Sequence, residues 1–163
     1  IMEFFKGRFV NQLGGEFPAD AIDAAVSAGF NDLVDVKARI AALAEFKGRP
    51  DFEPLAVAFK RVCNIVKEPV TAAIDETLFQ DEAERGLFGA YQAVHDAVAA
   101  HAGQGDYLAA LSGIATLKGA VDTFFDKVMV MAEDERLKLN RLALLTAISR
   151  LFNKIADFSR ISV

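Results

Sequence analysis

Phe124 to Glu135, FFDKVMVMAEDE, opens into a long amphipathic run from Arg136 to Phe158, and together they decide the fold. Phe124, Phe125 and Val128 are spaced to close one apolar face, which points Asp126 and Lys127 elsewhere. Val128 to Met131 alternates with period two, the pattern of a short extended connector. Methionines in such a place are usually core filler, although in an RNA-binding domain an exposed methionine can pack on an unstacked base. Glu133, Asp134 and Glu135 set negative charge where a helix begins, with Asp134 the expected N-cap. Beyond them Leu144, Ile148, Leu151, Ile155 and Phe158 recur at four- and three-residue steps, a core stripe widened by Leu142, Leu145 and Phe152. Such a helix packs between several others. Arg136, Lys138, Arg141, Arg150 and Lys154 fall largely off the stripe.

The upstream chain repeats the helical pattern. Met2 to Leu13 predicts a helix with Phe5, Phe9 and Leu13 on one side, stopped at Gly14-Gly15. Pro18 opens the next, with Ile22 and Val26 inward and Gly29 at its end. Asp32 caps a third whose core face is Leu33, Val36, Ile40 and Leu43, with Asp35, Lys37 and Arg39 on the other side. After Gly48 to Pro50, Asp51 starts a fourth helix along Phe52, Leu55, Phe59, Val62 and Val66. Glu68 to Thr77 is a connector. A fifth helix runs from about Phe79 to Ala100, with Ala83, Leu87, Tyr91, Val94 and Val98 inward and Gly86 and Gly89 suited to close helix contact. Asp106 caps a sixth with Tyr107, Leu111 and Ile114 buried, and Gly119 kinks or ends it. The expectation is an all-α helical bundle of six to seven helices, with residues 1–163 forming a single helical domain.

Bulk properties agree. Apolar residues make up 53% of the 163, enough for a real core, and only four prolines interrupt them. No apolar run reaches the roughly 20 residues a bilayer span requires, and no secretory leader is visible, so no membrane partner is expected. The single cysteine, Cys63, excludes an internal disulfide framework and suits a reducing cytosol, so the expected location is cytoplasmic. Ile1 precedes Met2, which reads as a fragment excised from a longer chain. The net charge of −5 argues against a simple nucleic-acid sponge. Its distribution is uneven: residues 136–163 hold six basic groups and one acid, or +5, and the rest hold twelve against twenty-two, or −10.

No catalytic constellation is expected. His95 and His101 are six residues apart on one helix and point in different directions, so they cannot be a same-face metal pair. Cys63 has no histidine near it in sequence, and Gly103-Gln104-Gly105 lacks the pattern of a phosphate loop. The fourth helix is more informative. Lys60, Asn64 and Lys67 line up one turn apart with Arg61 beside them, cations for phosphates flanking an amide that can read a base edge. The alternative is a solvated face with an incidental asparagine.

VMVMAEDERLKLNRLALL (Val128 to Leu145), with ADFS near the terminus, resembles the C-terminal end of the bacterial-type glycyl-tRNA synthetase beta subunit. FFKGRF (Phe4 to Phe9), DLVDVKARI (Asp32 to Ile40) and DFEPLAVAFKRVCNI (Asp51 to Ile65) extend the resemblance over nearly the whole chain. It implies an anticodon-binding domain of the DALR helical class, although the Asp-Ala-Leu-Arg quartet itself does not occur here. It also implies glycine tRNA as partner, recognised through its anticodon loop. Further implied partners are an alpha subunit that activates glycine, the remaining beta-subunit domains, and a heterotetramer of two alpha and two beta chains. ATP and magnesium belong to the full ligase, with no cofactor in this fragment. Glycine anticodons carry cytosine at their second and third letters, which asks for an acceptor beside a donor. Asp126, Glu133 or Asp134 are candidate acceptors. Arg61, Asn64, Asn140 and Arg141 are candidate donors, and Lys60, Lys127 and Lys138 candidate phosphate contacts. Asp126 has the alternative of a structural ion-pair partner, and Asn140 that of a buried helix-contact amide. The competing function is a helical interaction module that docks other synthetase domains.

Overall fold

A computed structural model describes residues 2–163. Eight α-helices follow one another: α1 (Met2–Leu13), α2 (Ala19–Ala28), α3 (Leu33–Lys47), α4 (Phe52–Ile65), α5 (Glu82–Gly103), α6 (Tyr107–Ala115), α7 (Lys118–Lys127) and α8 (Glu135–Asn153). Short 3-10 turns lie at Glu76–Leu78 and Phe158–Arg160. The expected all-α bundle is observed, and the count rises to eight because Lys118–Lys127 is a helix of its own. Asp32, Asp81, Asp106 and Asp134 each accept a backbone N–H of the turn they open, with Asp81 and Glu84 forming a capping box.

The main core gathers Phe46, Phe59, Leu87, Leu111, Phe124, Leu144, Phe152 and Phe158. Phe59 meets Phe152 at 4.6 Å and Phe158 at 5.8 Å between ring centroids. The α6–α7 break falls at Thr116-Leu117, where backbone bonds shorten to the i−3 pattern, and not at Gly119, which lies in open space. The bend lets Leu111 and Ile114 from one helix and Leu117, Val121 and Phe124 from the next enter the same core. By length and composition Tyr107–Lys127 is apolar enough for a membrane span, but the bend divides it and these side chains are covered.

Several inward assignments differ from expectation. Phe5 and Leu33 are 55% and 52% exposed, because a smaller second cluster of Leu13, Ile22, Ala25, Val26, Val36 and Ile40 is completed by Phe9, Val10, Phe17 and Phe30. Gly86 and Gly89 face open space; the close helix approach is at Gly113, where an added Cβ would stand 3.1 Å from Val98 Cγ2. Arg39 is buried. Its guanidinium donates to the carbonyls of Ala25 at 2.6 Å, Gly29 at 2.5 Å and Ile155 at 3.0 Å, and pairs with Asp35 at 3.0 Å. Carbonyls at a helix C-terminus lack intrahelical partners and carry partial negative charge, so they attract a cation. The bond to Ile155 stands where α8 has already ended, at Asn153 and not at Phe158, although Ile155 and Phe158 remain in the core.

The strongest organising feature is the antiparallel run of chain along α8. Phe59 packs on Phe152, the Val70 N–H donates to Thr146 Oγ1 at 3.2 Å, and Asp75 exchanges two bonds with the Asn140 amide at 2.8 and 2.9 Å. The run closes where Arg141 Nε donates to Glu84 at 2.8 Å, a pair almost wholly buried. Glu84 also accepts the N–H groups of Gln80 and Asp81 at 2.7 and 2.9 Å, and Arg141 Nη1 donates to the Met129 carbonyl at 2.8 Å. Three backbone groups of the connector, the Val70 N–H and the N–H and carbonyl of Asp75, are thus satisfied by α8 side chains. Burial acts to raise the Glu84 carboxyl, but the Arg141 guanidinium and the two N–H groups outweigh it and hold the group below its ordinary 4.5.

Phe59→Ala should cost about 3–5 kcal/mol in urea unfolding as a core cavity, whereas Phe5→Ala at the surface should stay within about 0.5 kcal/mol. Arg141→Met, which strands a buried carboxylate, should cost about 3–5 kcal/mol. Because Glu84 is depressed in the folded state, its contribution is complete above the ordinary glutamate value and is lost as pH falls through the lowered one. Glu84→Gln should therefore flatten the acid limb of stability against pH, and an unchanged limb would remove Glu84 from the account.

Candidate nucleic-acid interface

Burial of Leu55, Phe59 and Val62 fixes the roll of α4 and turns Val57, Arg61 and Asn64 to solvent, with Lys60 half-buried beside them. The Arg61 guanidinium lies 4.4 Å from the centroid of Phe125, a cation–π contact joining α4 to the last turn of α7. Phe125 is half-buried, and Phe124 behind it is fully covered. Asp126 and Lys127 follow on exposed positions, each about 100° further round α7, so that of the three residues only Phe125 meets Arg61. Lys127 also suits the negative end of α7.

Past Arg61 the surface dips into a cavity of about 460 Å³ between the C-terminal ends of α4 and α8, lined by Cys63, Asn64, Lys67, Ser149, Asn153 and Asp157 among others. Asn64 and Asn153 offer amides and Lys67 a cation, while Asp157 brings a carboxylate. Burial, together with the Asp157 charge, pushes the Cys63 thiol up to about 11, so it stays protonated at neutral pH and is no nucleophile. No group of three or more possible metal ligands occurs among the described residues. His95 and His101 each sit by a separate carboxylate, Asp96 at 3.0 Å and Asp106 at 3.9 Å. The chemistry on offer is recognition by charge and hydrogen bond.

The remaining candidates divide. Lys138, half-buried in the first turns of α8, pairs with Glu135 at 3.4 Å, and Asp134 caps α8 and holds Arg136 at 3.4 Å. Glu133 is exposed in the turn before them. Asn140 and Arg141 are corrected from candidate RNA donors to internal clamps, since both are buried and their donors reach Asp75, Glu84 and Met129. Of the basic C-terminal groups, Arg136, Lys138, Arg141 and Arg160 are paired with carboxylates. Lys60, Arg61, Lys67, Lys127 and Lys154 form no ion pair among the described residues. Asn153, Ser149 and Asp157 escaped sequence reasoning. Their only signal was the α8 helical period, which becomes informative once the end of α4 is known to lie against them.

The DALR anticodon binding domain family matches residues 55–162, from the second turn of α4 almost to the end of the chain. The chain is similar to the glycine–tRNA ligase beta subunit of Geotalea uraniireducens, with 61% identity over 163 residues, covering 99% of this chain and 24% of the relative. The corresponding protein of Geobacter metallireducens is 61% identical over 162 residues at the same coverage, and that of Syntrophotalea carbinolica 47% over 163. The chain thus spans 24% of the length of these relatives. With the match covering α4 to the 3-10 turn at Phe158–Arg160, the chain belongs to the DALR anticodon binding domain family.

Proposed function

We propose that the face formed by α4, the end of α7 and the end of α8 binds the anticodon loop of glycine tRNA, within a cytoplasmic glycine–tRNA ligase. Glycine activation, with its ATP and magnesium, belongs to other parts of that ligase, an assembly of two alpha and two beta chains. The observation that carries this reading is a set of cations without an ion pair among the described residues, in an otherwise acidic domain: Lys60, Arg61, Lys67 and Lys154 on the α4 and α8 ends that border the Asn64–Asn153 cavity, and Lys127 on α7, which meets α4 where Phe125 packs on Arg61. Several cations elsewhere are neutralised by carboxylates, while Lys6, Arg8, Arg49 and Arg150 also form no ion pair among the described residues; the α4 face is where unpaired cations stand beside exposed amides, which suits phosphate and base together. Anticodon bases are single-stranded and can be turned outward onto such a surface. Arg61, Asn64 and Asn153 supply donors, and Asp126 and Asp157 supply acceptors for a cytosine amino group.

A second role is favoured at a different face. Phe4, Phe5, Leu33 and Val34 are large apolar side chains left exposed on α1 and α3, which suits docking against another part of the synthetase. The two readings use separate surfaces and respond to different variants.

Arg61→Ala in the full ligase should weaken glycine tRNA binding by about 1–3 kcal/mol and reduce the steepness of its salt dependence, leaving helix content unchanged. Asn64→Ala should raise the KM for tRNA without altering the salt slope. Normal binding by both variants would contradict the assignment of this face.

A further inference from the structure

The connector from α7 to α8 carries a second feature. Val128 and Val130 are 7% and 4% exposed, while Met129 and Met131 between and after them are 73% and 51% exposed. The expected period-two alternation is present, and it turns the methionines outward. Their backbone is anchored: the Val128 N–H donates to the Phe124 carbonyl at 2.8 Å, and buried Arg141 holds the Met129 carbonyl at 2.8 Å. With both valines in the core, a one-residue slip would bury the thioethers and expose the valines. The segment is therefore a fixed support bearing two soft, adaptable apolar side chains.

We propose that Met129 and Met131 form the platform on which one unstacked base of the anticodon loop rests, an inference that builds on the function proposed above. Two thioethers are far too little for a stable protein interface, which needs about 800 Å² from each partner. A single aromatic base face matches them in size, and stacking on such a face tolerates any base. The polar surroundings fit the same occupant. Lys127, two residues before Met129, is free to hold a phosphate, and exposed Glu133, two residues after Met131, accepts from a cytosine amino group. Phe125, packed against Arg61 of α4, stands in the last turn of α7, four residues before Met129.

Methionine oxidation reads the platform directly, because an exposed thioether becomes a sulfoxide and a covered one does not. The full ligase is treated with dilute hydrogen peroxide alone, with glycine tRNA, and with a tRNA whose two anticodon cytosines are replaced, and sulfoxide at Met129 and Met131 is followed by mass spectrometry. Tight binding of each tRNA is measured in the same samples by fluorescence anisotropy. The expected result is ready oxidation in the free ligase, several-fold slowing by glycine tRNA, and less slowing by the altered tRNA. Met129→Ala/Met131→Ala should raise the KM for tRNA, with leucine at both positions restoring it. Anticodon-dependent binding without protection would overturn the platform and leave the proposed function standing. Binding that ignores the anticodon, or no binding, would overturn both. Protection already present without tRNA would show that another protein surface covers the methionines, and would also overturn the platform.

Discussion

The buried pair between Arg141 and Glu84 is the constraint on which the rest of the structure depends. Each ion is expensive to remove from water, and such a pair stabilises only when its geometry is good and its other hydrogen-bonding capacity is met. Here the carboxylate also accepts two backbone N–H groups at the start of α5, and the guanidinium also takes the Met129 carbonyl. Among the described residues no buried side-chain polar atom is left without a partner. One pair thus fixes the entry of α5, the roll of α8 and the exit from α7. An apolar replacement of the same volume would fill the space without specifying where three chain segments meet.

From that junction α8 acts as a spine about 28 Å long. Asn140 and Thr146 hold the α4–α5 connector against it, and Phe152 holds α4. At the far end Arg39 ties the α2 terminus to Ile155, and the Tyr107 hydroxyl donates to Asp35 beside it. Burial and the Asp35 charge push that hydroxyl up to about 12, so it remains a donor at neutral pH. Polar groups inside the domain are engaged in holding backbone. On the α4 face the same support presents unpaired cations and amides to solvent.

Much of this was legible in the sequence. Helix starts followed from Asp32, Asp106 and Asp134, and the α8 stripe from Leu144 to Leu151 is buried as its spacing required, with Ile155 and Phe158 buried beyond the helix end. The valine–methionine alternation was legible, but its faces were not: core filler is the usual reading for such methionines, and both are exposed. Periodicity failed where a polar side chain flanks an apolar stripe, since it cannot tell water from a neighbouring carbonyl. Arg39, Asn140 and Arg141 are all of that kind, and each partner set includes a residue distant in sequence. Phe5 and Leu33 failed for the opposite reason, because a small cluster at that end of the chain has no room for every residue with core spacing. Of the candidate interface, Lys60, Arg61, Asn64, Asp126 and Lys127 were readable as polar faces, while Asn153 and Asp157 required the meeting of α4 and α8.

As proposed, this domain reads an anticodon with a surface of unpaired cations and amides. The most direct test is fluorescence anisotropy of the full ligase with glycine tRNA, and with the tRNA altered at both anticodon cytosines, each at two salt concentrations. Tighter binding of the unaltered tRNA and a steep loss of affinity as salt rises are expected. Equal affinity for the two tRNAs, or affinity indifferent to salt, would contradict that reading.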